Sequence, residues 1–269
     1  MVPMTASIDH GHDGAGIRYR VWRATMSALD LDRVTPTRPP EGRALAGHQT
    51  WKHLLFAHWS YDPAAVRAVV PPALELDLWA GRAWVGAVPF EMRGIRLPWM
   101  PGPLGMNFLE ANLRTYVHCK GEPGVYFFSL EASSRLAVQA ARWGWGLPYH
   151  RARMRVDYDG AAVRYSSIRD KDPSAALTAE YEIGEALGES RPGSLEFFLL
   201  ERYYLFACHK GAILKGHVHH SPYPARRAAV RSMSCGLLAA AGLPARTDPP
   251  EVTHYSPGVV VRVFGPWAL

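Results

Sequence analysis

Glu110, Asn112, Arg114 and Tyr116 occupy alternate positions of the segment Glu110-Ala111-Asn112-Leu113-Arg114-Thr115-Tyr116-Val117. In an extended strand successive side chains point to opposite faces. These four therefore share one face, and Ala111, Leu113, Thr115 and Val117 share the other. Two readings fit the pattern. One is an ordinary half-buried strand with its polar side in water. The other is the polar lining of a cavity, in which Glu110 and Arg114 fix each other's geometry and Arg114 holds an anion. Asn and Glu are poor strand formers, which favours the cavity.

A second group follows the tight turn Gly144-Trp145-Gly146-Leu147-Pro148, where two glycines and a proline specify the backbone path. Tyr149 and His150 open the next strand. A histidine can move protons near neutral pH, and a tyrosine can donate to a developing oxyanion. Adjacent strand residues face opposite sides, so one of the two is expected to face a cavity; a structural role for both is the alternative.

Other constellations carry less. His217 and His219 share a strand face and would need a third ligand, such as His209, His254 or Glu110, to hold a metal; no metal is expected. Arg151, Arg153 and Arg155 alternate on one face, as do residues of a solvated outer surface. Ser134 and Ser234 lie in no Gly-x-Ser-x-Gly elbow. Cys235 follows a candidate helix cap, Ser234, and is either a low-pKa thiol or a buried structural cysteine.

The elements that must position these residues are mostly strands. His53 to Tyr61, Leu74 to Trp79, Arg82 to Met92, Asn107 to Lys120, and Gly124 to Ser134 read as strands. Arg151 to Tyr158, Ala161 to Asp170 and Ala175 to Gly184 form a meander, and Arg202 to His209, Ala212 to His220 and Ala225 to Arg231 follow. Val252 to His254 and Val259 to Phe264 close the chain. Helices are few: Ile17 to Leu31, Pro63 to Val70 capped by Asp62, Ser194 to Leu200, and Ser234 to Ala241. No run of βαβ units or phosphate loop appears. The expected class is mainly β with short helices (α+β), a strongly curved antiparallel sheet or barrel. Residues 1–46, rich in Gly, Pro and Arg, are expected to be peripheral and partly disordered, and 47–269 to form a single β-barrel domain.

Composition narrows the classes further. The formal charge of +6 comes from 25 arginines and 5 lysines against 24 acids. The arginines are dispersed and accompany no nucleic-acid motif, so no nucleic-acid partner is expected. Three cysteines without close spacing give no disulfide framework, and no apolar run suits a signal peptide or a membrane span. A cytoplasmic setting without membrane association is expected.

Several segments together resemble the YqjF-like family, a bacterial domain of unknown function related to the acetoacetate decarboxylase-like superfamily. They are His53 to Tyr61, Pro71-Pro72 with Leu74, Trp84 to Phe90, the Asn107-to-Val117 strand, Phe127 to Ala132, Gly146 to Tyr149, Glu201-Arg202-Tyr203, His219-His220 with Pro222, and Tyr255 to Val259. The resemblance implies a curved, nearly closed antiparallel β-barrel around a cavity, commonly in a homo-oligomer. It also implies a pocket glutamate, for which Glu110 is the counterpart. Decarboxylases of the superfamily carry two lysines at the turn matching Leu147-Pro148-Tyr149-His150, and one forms a Schiff base with a β-keto acid. Neither matching position here has an amine. The expectation is a small-molecule enzyme without cofactor, acting on a keto acid or other carbonyl compound by non-imine acid–base chemistry. Glu110, His150 and Tyr149 are the candidate catalytic residues, and Arg114, Asn112 and Tyr116 are the candidate substrate-binding residues. A non-catalytic binding protein on the same barrel is the alternative.

Overall fold

The computed structural model describes residues 31–209 and 211–269. The helix expected from Ile17 to Leu31 therefore lies outside the described residues except for Leu31, as do residues 1–30 of the peripheral segment.

The chain forms β1 (Leu45–Tyr61), α1 (Pro63–Arg67), β2 (Glu75–Leu76), β3 (Ala83–Arg96), β4 (Met106–Cys119), β5 (Glu122–Ala132) and α2 (Arg135–Trp145). It continues with β6 (Tyr149–Asp159), β7 (Ala162–Arg169), β8 (Asp172–Gly188), α3 (Leu195–Leu200), β9 (Tyr204–His209) and β10 (Ala212–His219). β11 (Ala225–Cys235), α4 (Leu237–Ala240) and β12 (Val252–Ala268) complete it. Among the described residues no helix is long and apolar enough to cross a membrane.

Hydrogen bonding joins all these strands into one sheet that returns on itself. From β4 the pairing runs through β5, β6, β7, β8, β11, β12, β1 and β3 and back to β4. β9 and β10 bridge β5 to β12 and close a second, smaller circuit. Most pairs are antiparallel, but β5 runs parallel to both β6 and β9, a departure from the all-antiparallel expectation. The cause is α2. Arg135 to Trp145 is a helix, capped by the Ser134 hydroxyl, which accepts from the Ala137 N–H at 3.3 Å. A helical crossover lets the next strand run in the same direction as the last, so β5, α2 and β6 form one βαβ unit.

The wall formed by β1, β3 and β4 separates two apolar cores. Leu55, Ala57, Val85, Ala87, Ala111 and Leu113 pack into one, with Tyr165, Leu177 and Tyr181 from the β7–β8 side. Leu54, Phe56, Val88, Phe90, Phe108 and Tyr116 face the other, with residues of α2, α3 and β12. Both faces of β4 are thus interior. Neither of the readings drawn from its alternation had foreseen that; the polar face is not in water, and the apolar face has a core of its own.

β1 reaches the second core through a bulge. His53 has φ 54, and the β1–β3 register shifts between Lys52 and Ala57. The extra residue reverses the alternation, so Gln49 and Trp51 before it and Leu54 after it line the same cavity.

The α2–β6 turn depends on Gly146. It ends α2 with φ 62, and a Cβ there would lie 2.6 Å from the Cβ of His209. Both the left-handed backbone and the close approach exclude a side chain. Gly146→Ala is expected to destabilise the fold by about 1–3 kcal/mol, read as a lowered denaturation midpoint in urea; an unchanged midpoint would contradict this account of the turn.

Candidate functional site: a carboxyl–phenol pair in an apolar cavity

Between the β1–β3–β4 wall, α2 and β10 lies a cavity of about 540 Å³, a size typical of small-molecule sites. Its surface is mostly apolar, including Trp51, Phe90, Met92, Phe108, Phe127 and Leu205. The α2 face turned to it consists of the small residues Ala137, Ala140, Ala141 and Gly144, with Trp145 at its end.

β4 sends Glu110, Asn112 and Arg114 into this cavity, and β6 sends Tyr149. Glu110 is 3% exposed, and its Oε2 accepts from the Tyr149 hydroxyl at 2.8 Å. Its Oε1 makes no hydrogen bond with a described residue. Burial disfavours the charged carboxylate and raises the Glu110 pKa to about 8; the bond from Tyr149 acts in the opposite direction but is the smaller effect. Tyr149 is held well above its usual value by burial and by the neighbouring Glu110. The Glu110 backbone carbonyl accepts from the Tyr165 hydroxyl, 2.9 Å away, which tethers this part of β4 to the opposite core.

Tyr149 and His150 diverge as strand alternation requires. His150 does not line the cavity, which corrects its placement among the candidate catalytic residues. It lies near Arg169 and Arg142, and burial first, then these cations, lower its pKa to about 4. The Tyr149 carbonyl accepts from Arg142 of α2 at 2.6 Å, which fixes the start of β6 against the helix.

Glu110 and Arg114 do not pair, contrary to the sequence reading. Arg114 makes no ion pair with any described carboxylate. Its guanidinium lies 5.4 Å from the Phe56 ring centroid and 5.9 Å from that of Tyr116, and Nη2 donates to the Leu199 carbonyl at 3.2 Å. Tyr116 lies behind this group and does not line the cavity, a correction to its candidate role in binding substrate. Its hydroxyl donates to the Leu199 carbonyl at 2.7 Å and meets His58 Nε2 at 2.7 Å. Asn112 lies between the Glu110 and Arg114 positions, with Oδ1 buried and without a partner among the described residues.

Arg202 and Tyr223 complete the lining at this end, and reasoning from residue pattern had assigned neither a role. Arg202 does fall within the Glu201-Arg202-Tyr203 segment that carries the family resemblance. Tyr223 follows a loop with no chemical pattern of its own. Elsewhere, His217 Nε2 lies 2.9 Å from the Pro36 carbonyl and His219 Nδ1 lies 3.3 Å from Arg262. Among the described residues no cluster of three His, Cys, Asp or Glu side chains is placed to hold a metal ion. Cys235 is buried and its thiol pKa is pushed up to about 12, the reverse of a reactive thiolate. No lysine among the described residues lines the cavity.

The matches to known proteins follow the same outline. Residues 48–260 match the family model DUF2071, described as an uncharacterized conserved protein, and the chain belongs to this family. The uncharacterized protein YqjF of Bacillus subtilis (strain 168) is 43% identical over 176 residues, covering 65% of this chain and 73% of its own. Among solved structures, the enduracididine biosynthesis enzyme MppR superimposes with a TM-score of 0.59 at 11% identity, over 84% of this chain and 90% of that one. An acetoacetate decarboxylase-like enzyme from Sphingomonas wittichii RW1 gives 0.57 at 14%, over 84% and 94%. Acetoacetate decarboxylase from Legionella pneumophila subsp. pneumophila str. Philadelphia 1 gives 0.54 at 14%, over 91% and 98%. This YqjF-like chain thus has the acetoacetate decarboxylase-like fold.

A raised carboxyl pKa has a thermodynamic consequence. Glu110 costs folding little below its ordinary value of 4.5, and the cost grows as pH climbs toward about 8, because the unfolded chain ionises first. Wild-type stability is expected to fall relative to Glu110→Gln across that interval, by up to about 1.4 kcal/mol per pH unit. Urea unfolding of both proteins at several pH values measures this. Parallel stability curves would contradict the raised pKa.

Proposed function

We propose that the chain is a small-molecule enzyme that moves a proton on carbon beside a carbonyl group, without an imine. The buried Glu110–Tyr149 pair in an apolar cavity is the observation that carries this reading. A carboxyl group with a pKa near the working pH is suited to both taking and returning a proton. Ionised Glu110 takes the proton from carbon, and the Tyr149 hydroxyl holds Oε2 while Oε1 faces the substrate. The electron pair left behind moves to the carbonyl oxygen, where the Asn112 side chain supplies a hydrogen bond. Glu110 then returns the proton to carbon. In this reading the circuit of strands acts as a curved β-barrel wall that keeps water from the enolate.

The fold's relatives lend support to the carbonyl class. MppR has been solved with pyruvate and with a condensation product of pyruvate and imidazole 4-carboxaldehyde, and two other relatives are an acetoacetate decarboxylase and an enzyme like it. An imine route has no amine to use in this cavity among the described residues. A binding protein without turnover is the competing reading; the same apolar lining favours it, and it differs by giving no exchange.

Deuterium exchange beside the carbonyl of keto acids, followed by mass spectrometry in heavy water, tests the proposal. The exchange rate is expected to rise with pH and level off above about 8, and Glu110→Gln is expected to lose about 10²–10⁴-fold. Ligand binding with no exchange by the wild type, or full exchange by Glu110→Gln, would contradict it. Borohydride added with acetoacetate is expected to trap no lysine adduct. A trapped lysine mapped by mass spectrometry would restore the Schiff-base route.

A further inference from the structure

The end of the cavity remote from Glu110 holds more positive charge than the described residues balance. Arg114 and Arg202 both line it, with their Cζ atoms 5.9 and 5.0 Å from the Tyr116 ring centroid. Arg202 Nη1 donates to Asp77 Oδ2 at 2.8 Å, and Asp77 also receives Arg33 at 2.5 Å. One carboxylate therefore serves two guanidiniums, and Arg114 has none among the described residues. Glu201, another buried acid nearby, directs its oxygens to the Tyr203 hydroxyl, the Tyr223 N–H and Ser190, and pairs with neither arginine. Arg114 Nε and Arg202 Nη2 are both buried and without partners among the described residues. Buried cations with idle donors are costly unless an anion is supplied.

We infer that the cavity takes an extended apolar carboxylic acid, its carboxylate between Arg114 and Arg202 and its reacting group several carbons away at Glu110. The second clause rests on the proposed proton transfer by Glu110. The strand sets the spacing: Arg114 lies four positions beyond Glu110, about 13 Å along β4. Arg114 leans away from Glu110, toward the Tyr116 ring and the Leu199 carbonyl. A carboxylate held there cannot belong to a β-keto acid whose carbonyl reaches Glu110, since one methylene separates the two groups in such an acid.

The row between the two ends fits an alkyl chain. Asn112 is flanked in register by Val88 of β3 and Leu130 of β5, and both line the cavity. Beside Arg114 the β3 position is Gly86, where a Cβ would come within 2.8 Å of the His58 ring, so this end has no side chain to spare room for. Arg114 and Arg202 each bring one N–H group without a partner among the described residues, and a carboxylate has two oxygens to accept them. A phosphate dianion would bring more acceptors than the arginines and their aromatic neighbours Phe56 and Phe198 can satisfy.

Calorimetric titration of the purified full-length chain separates the possibilities. Decanoate is expected to bind at least about tenfold more tightly than decanol, decyl phosphate or acetoacetate. Arg114→Met is expected to weaken decanoate by about ten- to a hundredfold. Acetoacetate or decanol binding as tightly as decanoate would overturn the inference, and so would an unaltered Arg114→Met protein. Decyl phosphate binding more tightly would overturn the carboxylate assignment. If Arg114→Met fails to fold, the ligand ranking on the wild type decides.

Deuterium exchange then tests the spacing. A keto-decanoate with its carbonyl near the methyl end is expected to show a larger acceleration over its own uncatalysed exchange than the isomer with its carbonyl on the third carbon. A larger acceleration of the third-carbon isomer would overturn the inference and leave proton transfer by Glu110 intact. Arg114-dependent decanoate binding with no exchange of either isomer would reject proton transfer and retain the extended-acid site.

Discussion

A carboxyl group taken out of water favours its neutral form, and the surroundings decide how far. At Glu110 no guanidinium or ammonium of the described residues offsets the loss of hydration; the opposing contribution comes from a single phenol, Tyr149, at 2.8 Å. Most of the candidate site's chemistry follows from that imbalance. It sets the proton affinity near neutral pH, and it requires that Arg114, on the same strand face, be held elsewhere. A Glu110–Arg114 ion pair would have fixed the carboxylate in its charged form and removed its usefulness as a proton carrier.

The separation is achieved by the cores on either side of β4. Its odd-numbered residues Ala111, Leu113 and Val117 pack into the core shared with β7 and β8, which holds the strand rigidly. Glu110, Asn112 and Arg114 are then aimed into the cavity in fixed order. Glu110 meets the start of β6, and Arg114 meets the end of α3, where the Leu199 carbonyl accepts from both Arg114 and Tyr116. A strand buried on both faces is a firmer platform for such groups than a loop would be.

Much of this arrangement was legible in sequence because it depends on local alternation. Glu110, Asn112 and Arg114 share a face by strand geometry alone, and Tyr149 and His150 must diverge. Other features depend on contacts between distant segments. Arg202 comes to the cavity beside β9, which pairs in parallel with β5, and parallel pairing of strands far apart in sequence leaves no local signature. The bulge at His53 is similarly hidden: histidine is one of the side chains that tolerate a left-handed backbone, but most histidines do not adopt it, so the residue type alone marks no bulge. α2 is not legible because it buries only Ala137 and Val138 while Leu136 and Trp143 face outward, which blurs the apolar periodicity of a helix. The burial of both β4 faces was illegible for a related reason: polar residues in a cavity and polar residues in water give the same pattern.

The protonation state of Glu110 is the central claim, and infrared spectroscopy reads it directly. The wild-type minus Glu110→Gln difference spectrum is expected to contain the carbonyl stretch of a protonated carboxylic acid at pH 6. That band is expected to give way to carboxylate bands with a midpoint near pH 8. A difference spectrum showing only ionised carboxylate at pH 6 would contradict the account.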